Sequence, residues 1–221
     1  MKRCIINVAI GKPYTEYQLR LVKSIQEQMP GQDYFMWNDI LPPGAKPHND
    51  SMYGFKMYAF GNIFKTYDSV IWLDSPTVLH KSIAPLFDIL EMDGELVVST
   101  DVPLYKYVND KTLNYYNFTR EEVKNKEWML NYGFVFGFTK GNKTYEKMVY
   151  AENIGLFSSF IDDNKDHVTN SGVLFNGEYV EHRHEESIIS LIVQSEGRKL
   201  TPIWDLQGQD DKYFSWEKTP L

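Results

Sequence analysis

Two places in this 221-residue chain gather side chains that could do chemistry. The first is Asp74, which ends the apolar run Ser69-Val-Ile-Trp-Leu73 and precedes Ser75-Pro76. A carboxylate at the end of a buried run can be aimed at a ribose hydroxyl or at a divalent cation carried by a diphosphate, because hard cations take oxygen ligands. It can equally be a turn or capping aspartate before the proline. The second is Glu181-His-Arg-His-Glu-Glu186, three acids, two histidines and an arginine at the start of a predicted helix. A helix N-terminus favours acids and can bind anions, and a carboxylate beside His and Arg is a candidate for a perturbed proton affinity. A solvated helix start, with Glu185 and Glu186 complementing the dipole, uses the same residues. His182 and His184 have no cysteine nearby and would need remote ligands, so a zinc site is not expected. The tyrosine-rich stretch 105–116 offers flat rings that suit a sugar face or simply pack.

The elements that must position these residues follow from hydrophobic period. Residues 4–10 are a β-branched strand, and 14–28 repeat Tyr17, Leu19, Val22, Ile25 and Met29 at helical spacing. A strand over 33–37 and a proline-rich loop over 41–47 precede a helix over 51–67 and the strand at 69–73. Ser82 is the expected N-cap of a helix whose stripe is Ile83, Leu86, Phe87 and Leu90, closed by Asp93-Gly94. Then come a strand at 95–99, a capping box at Thr119-Arg-Glu-Glu122, a strand at 134–138 and a helix at 143–156. The polar segment 157–180 is expected to be a long excursion of the kind that forms a lid. A helix over 185–194, a strand over 199–203 and a coiled tail complete the chain. Alternating strands and helices predict an α/β fold with a mostly parallel central sheet flanked by helices.

Composition narrows the partners. With 43% hydrophobic residues the chain can bury a sizeable core. A net charge of -7 without a basic cluster argues against nucleic acid, since neutralising phosphates requires a patch of Lys and Arg. The lone Cys4 permits no intrachain disulfide, so a cytoplasmic setting is expected. The apolar run near the start is too short for a signal peptide, and nothing approaches the ~18 apolar residues of a membrane span. A Walker-type phosphate loop and a Gly-x-Ser-x-Gly elbow are both missing.

Phe55-Lys-Met-Tyr58, Tyr67-Asp-Ser-Val-Ile-Trp-Leu-Asp-Ser75 and Ile83-Ala-Pro-Leu-Phe87 together resemble the nucleotide-sugar-binding half of GT-A glycosyltransferases. That family places an Asp-x-Asp motif at the end of a central strand; here Asp74 matches the first acid and Pro76 stands at the second. Glu181 to Ser190 is similar to the Arg-His-Asp-Gln-Ser block of some GT-A-like sugar transferases of algal, viral and bacterial type, with Glu185 at the Asp position and Glu186 at the Gln position. Asn131-Tyr-Gly-Phe-Val-Phe-Gly-Phe138 resembles the strand beneath the acceptor and sugar. The matches span roughly residues 4–203.

The resemblance implies a single GT-A-like, Rossmann-like domain over 1–221, with a nucleotide-binding half near 1–100 and an acceptor half near 101–221. It implies a glycosyltransferase moving a sugar from a nucleoside-diphosphate sugar to a hydroxyl on a glycan or glycoconjugate, an inverting course being favoured. Asp74, with Ser75 beside it, would orient the ribose and any Mn or Mg ion. Lys56 first, and Arg183 next, would offset diphosphate charge; read from pattern alone, Lys56 is instead a surface lysine lying over Tyr53 and Phe60. Lys12, in Gly11-Lys-Pro-Tyr14, would border the nucleotide base, with Tyr14 stacking on it or merely packing. Glu185 would be the general base, with Asp101 as its rival. The alternative is a catalytically inactive domain of the same shape that binds nucleotide or glycan, Pro76 being its lesion.

Overall fold

The computed structural model describes residues 1–157, 181–202, 207–208 and 211–218. Beyond Phe157 the expected excursion over 157–180 lies outside the described residues, as does Ile203 at the end of the expected last strand.

The chain runs β1 (Arg3–Ala9), α1 (Tyr14–Gln28), β2 (Tyr34–Asn38), α2 (Phe55–Ile63), β3 (Ser69–Leu73), β4 (Thr77–Leu79), α3 (Ala84–Asp93) and β5 (Glu95–Pro103). After a 3-10 turn at Leu104–Lys106 follow α4 (Asp110–Tyr115), α5 (Arg120–Asn125), β6 (Met129–Thr139), α6 (Lys143–Asn153), α7 (His184–Ser195), β7 (Thr201–Pro202), β8 (Gln207–Gly208), β9 (Asp211–Lys212) and β10 (Phe214–Trp216). Six strands form one sheet in the order β2-β1-β3-β6-β5-β7. Neighbours are parallel except at β6, which is antiparallel to β3 and β5. The expected α/β class with a mostly parallel sheet is therefore what the chain adopts. The division expected near residue 100 falls inside β5, and β6 from the second half inserts between β3 and β5 of the first.

Every residue of β3 is buried because both sheet faces are covered. Val70 and Trp72 pack against α2, α6 and α7, while Ile71 and Leu73 pack against α1 and α3. This two-sided burial brings Asp74 to the carboxyl edge of the sheet's middle, where open α/β sheets bind ligands.

Several expectations needed correction. Leu19 is 63% exposed: two residues from Tyr17 it points to the opposite side of α1, whose buried positions include Gln18, Leu21 and Ser24. The second helix starts at Phe55 because Tyr53, at φ +59, leaves the right-handed region just before it. Ser82 lies one residue before the N-cap Ile83, although its hydroxyl accepts from Ala84 N at 3.2 Å. The β5 strand continues through Asp101 instead of ending before it, and β6 begins at Met129. The tail is not all coil, since β10 pairs antiparallel with β4, Phe214 opposite Leu79. The stripe of α3, the left-handed Gly94 that closes it and the capping box at Thr119 are as expected. Among the described residues no helix is long and apolar enough to cross a membrane.

Candidate active site

Asp74 is fixed on nearly every side. Its amide donates to Phe134 O on β6 at 2.9 Å, and its carbonyl accepts from Thr77 N at 3.0 Å. Its Oδ1 accepts from the Trp72 indole at 2.6 Å and pairs with the Lys56 ammonium at 3.2 Å. Among the described residues Oδ2 has no hydrogen-bond partner, on a side chain 29% exposed.

Lys56 reaches this point from the first turns of α2, and its side chain is only 3% exposed. Its ammonium donates to Glu185 Oε1 at 2.6 Å and to Gly133 O at 3.1 Å besides pairing with Asp74. Three rings wall it, with centroids at 5.0 Å for Trp72, 5.2 Å for Tyr53 and 5.6 Å for Phe136, distances at which a cation is attracted to a ring face. Burial alone would lower the lysine, but the charges of Asp74 and Glu185 outweigh it and hold the ammonium above its usual range. The surface-lysine reading of Lys56 is thus overturned.

Glu185 lies in the first turn of α7, 3% exposed, with Oε2 buried and without a hydrogen-bond partner among the described residues. Asp74, Lys56 and Glu185 form one chain of charges, acid, ammonium, acid, across the end of β3 and the start of α7. Two residues beside it hold left-handed backbone, Tyr53 at φ +59 and His184 at φ +47, and their rings meet at 5.7 Å. Such geometry in bulky residues costs about 1–3 kcal/mol each and concentrates at functional sites. Burial first, and then the charge of Glu185, push the Tyr53 hydroxyl up to about 12.

The opposite face of the Asp74 turn is held by a buried polar network. Asn7 on β1 donates from Nδ2 to Leu73 O at 2.7 Å, while its Oδ1 accepts from Gln18 Nε2 at 2.7 Å and Ser75 Oγ at 3.1 Å. Gln18 also donates to Trp37 O and accepts from Asn38, linking α1 and β2. Ser75 is 4% exposed and its hydroxyl donates to Asn7, which steadies the turn.

The remaining expected residues sort by position. Lys12 is 83% exposed and pairs loosely with Glu16 at 3.3 Å. Tyr14 is 49% exposed. Both follow β1 and so share the sheet edge with Asp74. Arg183 precedes α7 and divides its guanidinium between Glu181 at 2.9 Å and Glu186 at 3.0 Å. Asp101 is exposed within β5 and makes no hydrogen bond or ion pair with the cluster. Lys56, expected at the diphosphate, has its ammonium shared among two carboxylates and a carbonyl.

Sequence reasoning missed Asn7, Gln18, Trp72 and Gly133. Asn7 interrupts the apolar β1 run, the one signal available beforehand. Gly133 matters through space: a Cβ there would lie 2.4 Å from the Cγ and Oε1 of Glu186. Asn131, also on β6, is buried with both amide atoms unpaired among the described residues. Two surface cavities, of about 250 Å³ between α2 and α6 and about 230 Å³ between α4 and α6, contain none of Asp74, Lys56 or Glu185.

A divalent cation does not fit these residues. Pro76 supplies no donor, Asp74 already faces an ammonium, and among the described residues no group of three acids, histidines or cysteines could hold a metal. Asp74 Oδ2 and Glu185 Oε2 are the two carboxylate oxygens of the cluster that accept no hydrogen bond from the described residues.

No family model matches the chain, and no curated protein matches it in sequence. Among the solved structures that match is the crystal structure of a glycosyltransferase involved in the glycosylation of the major capsid of PBCV-1, with 14% identity, a TM-score of 0.45 and 82% of each chain covered. A likeness at that level leaves the chemistry to be read from the site.

Proposed function

We propose that the chain is a glycosyltransferase that moves a sugar from a nucleoside diphosphate to a hydroxyl acceptor without a metal ion. The observation that carries this reading is Glu185 Oε2, a buried carboxylate oxygen with no partner among the described residues, held beside an ammonium that joins it to Asp74 at the sheet edge. An unpaired buried acceptor costs about 1–3 kcal/mol, and a ligand hydroxyl would relieve it. In the proposed step the acceptor oxygen bonds to the anomeric carbon and gives its proton to Glu185 Oε2. The bond from that carbon to the diphosphate breaks, its electron pair leaving with the phosphate. Asp74 Oδ2 accepts from the donor's ribose. Lys12, exposed just after β1, is the cation that meets the diphosphate, and Lys56 holds the two acids in register.

The second reading, a domain that binds donor or glycan without turnover, is favoured by one feature: among the described residues Glu185 is 3% exposed, and neither the α2–α6 nor the α4–α6 cavity reaches it. One experiment separates the two. The protein is incubated with uridine and guanosine diphosphate sugars and a panel of glycan acceptors, with manganese or with chelator, and released nucleoside diphosphate is followed. Transfer predicts release that survives chelation and is lost in Glu185→Gln while calorimetry still shows donor binding. Unchanged release in Glu185→Gln removes the residue from the role; binding with no release on any pair supports the second reading.

A further inference from the structure

The α4–α6 cavity is not part of the Asp74 centre and has a wall of its own. Lys143, Glu146, Lys147 and Tyr150 occupy positions i, i+3, i+4 and i+7 of α6 and therefore share one face of that helix. Tyr115 ends α4 and Tyr116 follows it, their rings edge-to-face with centroids 5.0 Å apart. Tyr116 is anchored in the apolar core, whereas Tyr115 and Tyr150 are 44% and 56% exposed. The charged residues are held in place: Lys143 by Glu146 at 2.7 Å, and Lys147 by Glu196.

The lining selects its guest by elimination. An aromatic cage for an ammonium group is opposed because Glu146 and Glu196 are already paired with Lys143 and Lys147, which leaves no unpaired acid at the wall among the described residues to draw a cation in. A wholly apolar guest would strip water from those charges without replacing their hydrogen bonds. A ring with an apolar C–H face and a polar edge suits both, with the face on tyrosine and hydroxyls to lysine and glutamate. At about 230 Å³ the cavity has room for one such ring. We propose that this cavity is a saccharide-binding site, holding one pyranose unit of a glycan against Tyr115, Tyr116 and Tyr150, separate from the Asp74 centre. It stands whether or not that centre transfers sugar.

The test uses the full chain labelled with ¹³C in its tyrosine rings, titrated with maltohexaose, cellohexaose, mannohexaose and chitohexaose. At least one is expected to shift the ring signals of Tyr115, Tyr116 and Tyr150, whereas uridine diphosphate leaves them in place. Tyr150→Ala, at an exposed position, is expected to weaken that binding about tenfold or more, with Tyr150→Phe retaining most of it. Glu185→Gln leaves it unchanged, so failure of glycosyl transfer and failure of this site are told apart. The proposal is overturned if none of the four saccharides moves these signals, or if Tyr150→Ala binds as tightly as the parent.

Discussion

Replacing Lys56 by methionine keeps the length and apolar stem of the side chain and deletes one charge. In the parent that charge lies 2.6 Å from Glu185, 3.2 Å from Asp74 and 3.1 Å from Gly133 O. Asp74, 29% exposed, can turn to solvent, so its share is discounted for screening. Glu185, at 3%, cannot, and is left as a buried charge without a counterion. Losing one partner of such a pair costs about 3–5 kcal/mol, whereas replacing both partners by neutral groups is close to neutral. Lys56→Met should therefore lower the midpoint of thermal unfolding by roughly 6–20 °C in a chain of this size. Lys56→Met/Glu185→Gln should recover most of that, giving a coupling of about 2–3 kcal/mol. Because the folded state holds the ammonium above 10.5, the lysine's contribution is complete at all pH values below 10.5 and is lost only as pH rises through the higher folded value. Urea unfolding followed by tryptophan fluorescence at pH 7 measures both variants and Glu185→Gln alone, which completes the cycle. A cost below about 1 kcal/mol for the single variant, or a double variant no more stable than the single one, would refute the claim that this ammonium neutralises Glu185.

Three further outcomes follow from the same neighbourhood. Burial raises Glu186 above its usual 4.5 despite Arg183, so its contribution to stability is present below 4.5 and fades as pH rises through the folded value. Glu186→Gln should gain on the parent between pH 4 and pH 8, and parallel urea midpoints across that range would contradict this. Gly133→Ala sets a methyl 2.4 Å from Glu186, which Arg183 holds at 3.0 Å. It should cost about 1–3 kcal/mol and be rescued by Glu186→Ala in the same chemical-denaturation assay. Phe214 is fully buried, 5.3 Å from Phe134, and its strand pairs with β4 directly after the Asp74 turn. Phe214→Ala should cost about 3–5 kcal/mol, and a calorimetric loss below 1 kcal/mol would show that β10 does not support the turn.

Local pattern was a good guide wherever a residue's role depends on its own element. The β3 run has the same bounds in sequence and structure because a strand covered on both faces reads as a near-continuous apolar run, here Val70 to Leu73 after Ser69. The stripe of α3 and the capping box at Thr119 are equally local, fixed by spacings of three and four residues. Asp74, Lys56 and Glu185 each stand out singly, yet nothing in the helix turn around Lys56 shows that an acid 129 positions later will reach it. Gln18 and Ser24 carry no such local signal. Polar side chains buried on α1 look like surface positions to a reading based on hydrophobic period.

The amino-acid sequence by itself therefore settled the alternation of strands and helices, the closing of a buried strand by a carboxylate and the concentration of charge before α7, since each depends on neighbours a few residues apart. Only the tertiary structure decided that β6 runs against its neighbours, that the tail supplies a partner for β4, and that one ammonium serves both acids. The physical reason is that strand direction and ion pairing are chosen by which surfaces come together across the sheet. The energy that fixes them arises between residues far apart in the chain, where no local spacing records it.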